Sequence, residues 1–444
     1  MASRSSLQNL QTLLAVALSA LLSCSAFLAD IKAIPTLPTG SQCPGELPPP
    51  DTPFRVVWNH PDPCERKGVH MNFSEYGIVF NTGRSFIGDE VQTLYKTGRW
   101  PRYSGSRPIE GGLPQLFNDS TFAKTREDLS RNRKQDFKGL AIIDFESWRA
   151  NYITNFGSLA VYQRESVKLV EQQHPDWPIA RVKQEAAKEW EEGARRVMSG
   201  KLAIGQELMP GGHWGYYLHP RAWAGNSSPA QNDRMWWLWT KATGLYPTIY
   251  LGNPDQHVEQ KTSRVVREVA EAVRIQDKFS PPNTVIYPYS NINQGPHVFF
   301  MEDHLQVTLG VPADMGASGI VLWGSSSYYR VSDQCTKLHD YVHNVLGPFV
   351  RNLTHFTSDC SQALCGGHGR CVHNSKDVLI PETEAVSLSD KCTPRDSPFR
   401  DYHCRCYSHW EGACCERYAP FPCQQATPTG SQPQVKDNAG LIGR

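Results

Sequence analysis

The chain has 444 residues, 39% of them hydrophobic, enough to bury one large core and still carry a small appended module. Lysine and arginine number 45 against 44 aspartate and glutamate, a net charge of +1, which excludes a globally basic protein built for nucleic acid. An acidic ligand has to be met by a local patch, and Arg131, Arg133, Lys134 and Lys138 or the single Arg149 are the candidates.

Residues 12–22 are apolar, follow Arg4, and give way to small residues over 23–29, which is the layout of a secretory signal peptide over residues 1–29. The run is too short to span a bilayer, and the polar tail 424–444 does not read as a lipid-anchor signal. A secreted, extracellular protein without a membrane anchor is the expectation. Cysteine usage fits that compartment: of 13 cysteines, Cys24 lies in the signal region, which leaves an even set for disulfides. Sequons at Asn72, Asn118, Asn226 and Asn352 are glycan acceptors in the same compartment.

A Pro-rich leader over 30–50 precedes FRVVW at 54–58, a first strand closed by Asn59. A second short strand is expected at 77–80, followed by a long irregular stretch through Tyr95, Trp100 and Tyr103 to residue 115, of the kind that covers a binding site. Residues 139–148, GLAIIDFESW, read as a buried parallel strand ending in Asp144 and Glu146. Residues two apart on a strand share a face, about 6 to 7 Å apart at Cα. Such a pair at a strand's C-terminal end suggests acid chemistry on a held bond.

Helical patterns follow near 158–173 and 179–200, then strand-like WGYYL at 214–218 and LYPTIYL at 245–251. A helix near 260–278, TVIYPY at 284–289, a helix near 302–315, GIVLW at 319–323 and a helix near 335–350 complete the pattern. Strands alternating with helices imply a parallel sheet, and seven such strands over this length favour a β/α barrel, whose strand C-termini form the site. Those ends carry Asn59, Asp144, Glu146, Tyr217, Tyr250, Tyr289 and Trp323. Aromatic faces meet the C–H faces of sugar rings while carboxylates and hydroxyls meet their polar edges, so a carbohydrate groove is the natural ligand site.

Together with EGGLPQ (110–115), HPDWP (174–178), HWGYYLHP (213–220), AQND (230–233), GIVLWG (319–324), LGPF (346–349) and CSQALCGGHGRC (360–371), the GLAIIDFESWR stretch resembles the hyaluronidase family of endo-β-N-acetylhexosaminidases, glycoside hydrolase family 56. The matches run in the family's order over about residues 54–415. The resemblance implies an α/β fold, a distorted, TIM-like β/α barrel over 51–355, acting as a monomer on hyaluronan or chondroitin with retention of configuration and with no metal or cofactor. It implies that Glu146 is proton donor and then base, that Asp144 orients the substrate's acetamido group, and that Tyr217 holds the acetamido carbonyl. Tyr250 and Trp323 match walls of the same pocket, and Tyr95, Asn59 and Arg149 match groove positions. Side chains from one strand sit side by side, so Asp144 is poorly placed to attack from the face opposite Glu146, and the sugar's own acetamido oxygen is the better nucleophile. Two departures bear on groove shape: Phe145 stands where most relatives have Trp, and residues 218–231 hold no cysteine. Chondroitin preference, or a catalytically weak hyaluronan-binding lectin on the same fold, are the rival expectations.

Cys360, Cys365, Cys371, Cys404, Cys406 and Cys415 have the spacing of an EGF-like module, placed at 356–423 ahead of a tail at 424–444. By analogy Cys360 pairs with Cys371, Cys365 with Cys404 and Cys406 with Cys415, while the family resemblance implies a Cys64–Cys335 bridge. Cys43, Cys392, Cys414 and Cys423 admit three pairings. A zinc site is the competing use of these cysteines with His368, His373, His403 and His409, but disulfides are favoured in a secreted chain.

Overall fold

The computed structural model describes Leu47 and residues 51–222, 228–252, 256–295, 298–374, 392 and 397–419. The signal region, most of the leader, the tail, Asn226, Cys43 and Cys423 lie outside the described residues. Parallel strands alternate with helices, an α/β architecture. The strands are β1 (Arg55–Asn59), β2 (Ile78–Phe80), β3 (Val91–Leu94), β4 (Leu140–Ile143), β5 (His213–Tyr216), β6 (Gly244–Leu245), β7 (Val285–Ile286), β8 (Tyr289–Ser290) and β9 (Gly319–Trp323).

They pair in parallel as β8-β9-β1-β2, β3-β4-β5 and β6-β7. Backbone bonds join these groups: Thr243 N–H donates to Trp214 O at 2.9 Å, and Ser318 N–H to Ile286 O at 2.9 Å. Alternate residues feed two apolar layers, as period-two strands buried on both faces require. Val57, Val91, Leu140, Ile142, Tyr289 and Val321 form one layer. Val56, Trp58, Ala141, Ile143, Ile320 and Leu322 form the other, packed on the helices.

Among the helices are α1 (Phe122–Ser130), α2 (Ala160–Gln173), α3 (Ile179–Leu208), α4 (Val258–Phe279), α5 (Ser332–Tyr341) and α6 (Gly347–Cys365). The long α3 buries Val182, Ala186, Trp190, Ala194 and Val197 at helical spacing, and the same stripe ends on a buried Lys201. No helix among the described residues is long and apolar enough to cross a membrane.

Two expectations are corrected. The stretch after β2 is not wholly irregular: Val91–Leu94 forms a parallel strand and 102–109 folds back as a short hairpin. Its polar Gln92 and Thr93 disguised it, yet both are buried, Gln92 donating to Asn132 O at 3.1 Å. Within 245–251 only Gly244–Leu245 keeps strand pairing, with isolated bridges at Tyr246 and Thr248, because Pro247 has no N–H to continue the ladder.

Past β9, α5 runs through a π turn at Val342–Leu346 into α6. Residue 355 therefore falls within a helix that carries Cys360 and Cys365. A hairpin of Gly369–His373 with Tyr402–Cys406 packs beside it. Disulfides join Cys64 to Cys335, Cys360 to Cys371, Cys365 to Cys404, Cys392 to Cys414, and Cys406 to Cys415. Cys365, Cys404 and Cys415 lie close enough to share an ion, but disulfides hold all three sulfurs.

Candidate active site

Register brings the candidate residues together. Leu94 pairs with Ile143 and Ile143 with Tyr216, so the next residues, Tyr95, Asp144 and Tyr217, leave three adjacent strands at one level. The backbone bonds continue one step further: Asp144 N–H donates to Leu94 O and Tyr217 N–H to Ile143 O, both at 3.1 Å. Across the strand tops, Trp323 closes β9, and its indole N–H donates to the Tyr95 hydroxyl at 3.2 Å. Phe86 stacks on Trp323 and meets Tyr95 edge-on, making one aromatic wall. Tyr250 lies just past β6, hydrogen-bonded through its hydroxyl to Tyr217, whose ring meets Tyr289 edge-on at 5.0 Å.

The acid-bearing turn after β4 is rigidly held. Phe145 stacks on Trp100 at 3.8 Å with the planes 11° apart, and Trp148 closes the cluster edge-on to both. Trp148 Nε1 donates to Pro101 O at 2.7 Å, and Trp190 Nε1 on α3 donates to the carbonyls of Arg149 and Ala150, each at 3.1 Å. Asn155 clamps the end of the turn, accepting from Arg149 N–H at 2.9 Å and donating to Arg149 O at 2.8 Å. Leu218, with φ of 70°, occupies the left-handed region immediately after Tyr217, a strained turn of the kind found at functional sites.

Burial pushes the Asp144 carboxyl up to about 7, with the nearby Glu146 charge adding to the shift. Burial also raises Glu146, while Arg221 acts against that rise. Ionising both is unfavourable, so the pair retains a proton at mildly acidic pH and titrates as a unit. Tyr95 and Tyr217 are each pushed by burial to about 12, so both hydroxyls remain protonated donors.

Arg149 follows the acids in sequence, its guanidinium donating to Thr154 O at 2.7 Å and lying 5.4 Å from the centre of the Phe156 ring. Burial and the Arg221 charge lower it to about 10, still fully charged in the working range. One expected site residue is corrected: Asn59 is 0% exposed and donates to Thr93 Oγ1 at 2.6 Å, while Thr93 Oγ1 also pairs with the Tyr289 hydroxyl at 3.1 Å. It supports the strand tops from beneath. Asn72, Asn118 and Asn352 are exposed.

Sequence reasoning missed Arg221, whose charge reaches Glu146, Glu268 and Arg149. It lines a small recess with Arg149, Asn151, Thr154, His219 and Met235. The signal was available, since Arg221 directly follows HWGYYLHP. A larger cavity, about 520 Å³, lies between residues 301–314 and α6 and holds none of these groups.

Residues 47–419 match the profile of the hyaluronidase family. Hyaluronidase conohyal-P1 of Conus purpurascens is 52% identical over 390 residues, 87% of this chain and 85% of that protein. Hyaluronidase-1 of Homo sapiens is 35% identical over 406 residues, covering 83% of this chain and 93% of its own. The crystal structure of bee venom hyaluronidase in complex with a hyaluronic acid tetramer aligns at 30% identity with a TM-score of 0.64, over 68% of this chain and 99% of that one.

Proposed function

Because the chain belongs to the hyaluronidase family and is a glycosidase, we propose that it is a secreted endo-hydrolase cutting β-1,4 bonds after N-acetylglucosamine in hyaluronan. The observation that carries this reading is the register-matched row of Tyr95, Asp144 and Tyr217, with Glu146 two residues on and aromatic walls either side. In this reading the strands form a distorted barrel whose seam, between β2 and β3, is spanned by the Asn81 side chain. Its amide donates to Val91 O at 2.7 Å and accepts from Glu90 and Val91 N–H at 3.0 Å. The C-terminal cysteine cluster is an EGF-like module stapled to the barrel.

Free, the acid pair shares one proton. A bound sugar's acetamido N–H donates to Asp144, which favours the ionised form there and leaves the proton on Glu146. Tyr217 donates to the acetamido carbonyl and turns its oxygen toward the anomeric carbon. Glu146 protonates the leaving oxygen as that carbonyl oxygen attacks, giving a cyclic oxazolinium whose N–H remains on Asp144. Water, deprotonated by Glu146, then opens the ring with net retention. Arg149 and Arg221 supply positive charge beside the cut for the polymer's carboxylates.

Product analysis on hyaluronan, chondroitin and chitin side by side tests the reading. Even-numbered hyaluronan oligosaccharides with N-acetylglucosamine at the new reducing end support it. Faster release from chondroitin moves the preference, and retention of intact hyaluronan without cleavage supports the lectin alternative.

A further inference from the structure

Lys201 stands where the apolar stripe of α3 calls for a leucine or methionine, and it is 0% exposed. Burying an ammonium is unfavourable unless every N–H finds an oxygen. Here each one does: Lys201 Nζ donates to Thr97 O at 2.7 Å, to Arg99 O at 2.9 Å and to Thr125 Oγ1 at 2.9 Å. Two of these acceptors belong to the loop between Tyr95 and Trp100. The same Nζ lies 4.4 Å from the centre of the Trp100 ring, and Trp100 is the ring on which Phe145 stacks between the two acids. The loop is shaped for this contact. Trp100 Nε1 donates to Thr97 Oγ1 at 2.9 Å, Thr125 Oγ1 donates to Thr97 O at 3.1 Å, and Gly98, at φ of 81°, lies so close to Thr125 that any Cβ would collide with it.

We propose that Lys201 is a positioning residue for the acid pair: its ammonium ties the Thr97–Arg99 carbonyls to α3 and seats Trp100 under Phe145, fixing where Asp144 and Glu146 stand. The role rests on the glycosidase reading above. It acts through Trp100 and Phe145, with no contact to substrate. Only a charged amine can make all three ties, since a neutral one offers two N–H groups and turns a lone pair toward an oxygen. Burial lowers Lys201 to about 7, with Asp128 on α1 opposing that shift. The other charged groups around it are themselves paired. Asp128 is bridged to Lys124 at 3.0 Å and Arg131 at 3.7 Å, and Arg99 to Glu110 at 3.3 Å. As pH rises through neutrality, one tie is lost and the seat under Phe145 loosens.

The test uses the full-length secreted enzyme with Lys201→Met, Thr125→Val and Glu146→Gln, assayed on hyaluronan from pH 4 to 8 well below each variant's Tm. Lys201→Met is expected to lower kcat about tenfold or more, because a small misplacement of the reacting groups suffices, with KM changed less than about threefold. Thr125→Val, which removes one acceptor and leaves the ammonium buried, lowers kcat a few-fold. Near-UV circular dichroism from the stacked rings changes between pH 6 and 8 in the wild type and stays flat in Lys201→Met. Wild-type kcat in folded Lys201→Met, even with a lowered Tm, overturns the proposal by reducing the residue to a structural one. Should that variant fail to fold, Thr125→Val with unchanged kcat and an unchanged pH-dependent spectrum overturns it instead. Full activity in Glu146→Gln sinks the glycosidase reading and leaves any Lys201 effect without its acid pair.

Discussion

The acid-bearing strand tops and the C-terminal cysteine cluster solve the same problem, holding short irregular segments still, by opposite means. Among the described residues no disulfide joins the turn that carries Asp144 and Glu146; it is fixed by strand register, by the Trp100–Phe145 stack and by indole N–H groups on carbonyls. Around residues 360–415 the buried apolar set is small and mostly cystine, and four disulfides do the holding. Packed aromatic rings position groups to fractions of an ångström and let their charge be tuned by burial. Disulfides restrict the unfolded chain and leave the local electrostatics nearly untouched. Chemistry belongs on the first kind of scaffold, and an appended module can be built on the second.

Breaking each side separately sharpens the contrast. Glu146→Gln is expected to lower kcat by about 10²- to 10⁴-fold, the span of a lost general acid, while hyaluronan binding and Tm hold; steady-state kinetics beside calorimetric titration will show it. Asp144→Asn is expected to lower kcat by about 10²-fold and to raise Tm at pH 8 but not at pH 4. Asp144 is held above its unfolded value, so its favourable contribution exists at acid pH and is lost as pH rises through about 7, where the wild type alone must ionise a buried carboxyl. A Tm scan across pH reads this directly. Replacing Cys365 and Cys404 together by Ser should destabilise the module by about 2–4 kcal/mol with kcat within about twofold of wild type, seen as an earlier calorimetric transition with normal turnover. Arg221→Ala should move the alkaline limb of the rate profile upward, because Arg221 is the charge that opposes the rise of Glu146, with only a few-fold change in kcat/KM.

Much of the candidate rim was legible because parallel strands buried on both faces read as plain apolar runs, and polar or aromatic residues ending such runs stand out. Asp144, Glu146, Tyr217 and Trp323 were proposed as site residues that way, and strand register sets Asp144 and Tyr217 at one level. Val91–Leu94 escaped because a buried strand carrying Gln92 and Thr93 looks like surface; only the fold supplies Asn132 O as a partner for the Gln92 amide N–H, and Asn59 and Tyr289 as partners for Thr93. Asn59 was misplaced for the mirror reason. A strand-end polar residue reads as rim, yet here the neighbouring strands close over it. Trp100 looked like part of a covering segment, and its stack on Phe145 depends on a loop conformation that no periodicity encodes. The Cys392–Cys414 bridge was one of several pairings that spacing alone leaves equivalent.

The Cys64–Cys335 bridge spans 271 residues, from the loop after the first strand to the helix after the last. Almost the whole acid-bearing body lies inside that covalent ring. A protease that nicks one surface loop there produces two pieces that cannot diffuse apart, and they can re-dock without a second-order search. Damage of this kind leaves one covalently joined molecule, whereas the same cut in the reduced protein would release two separate pieces.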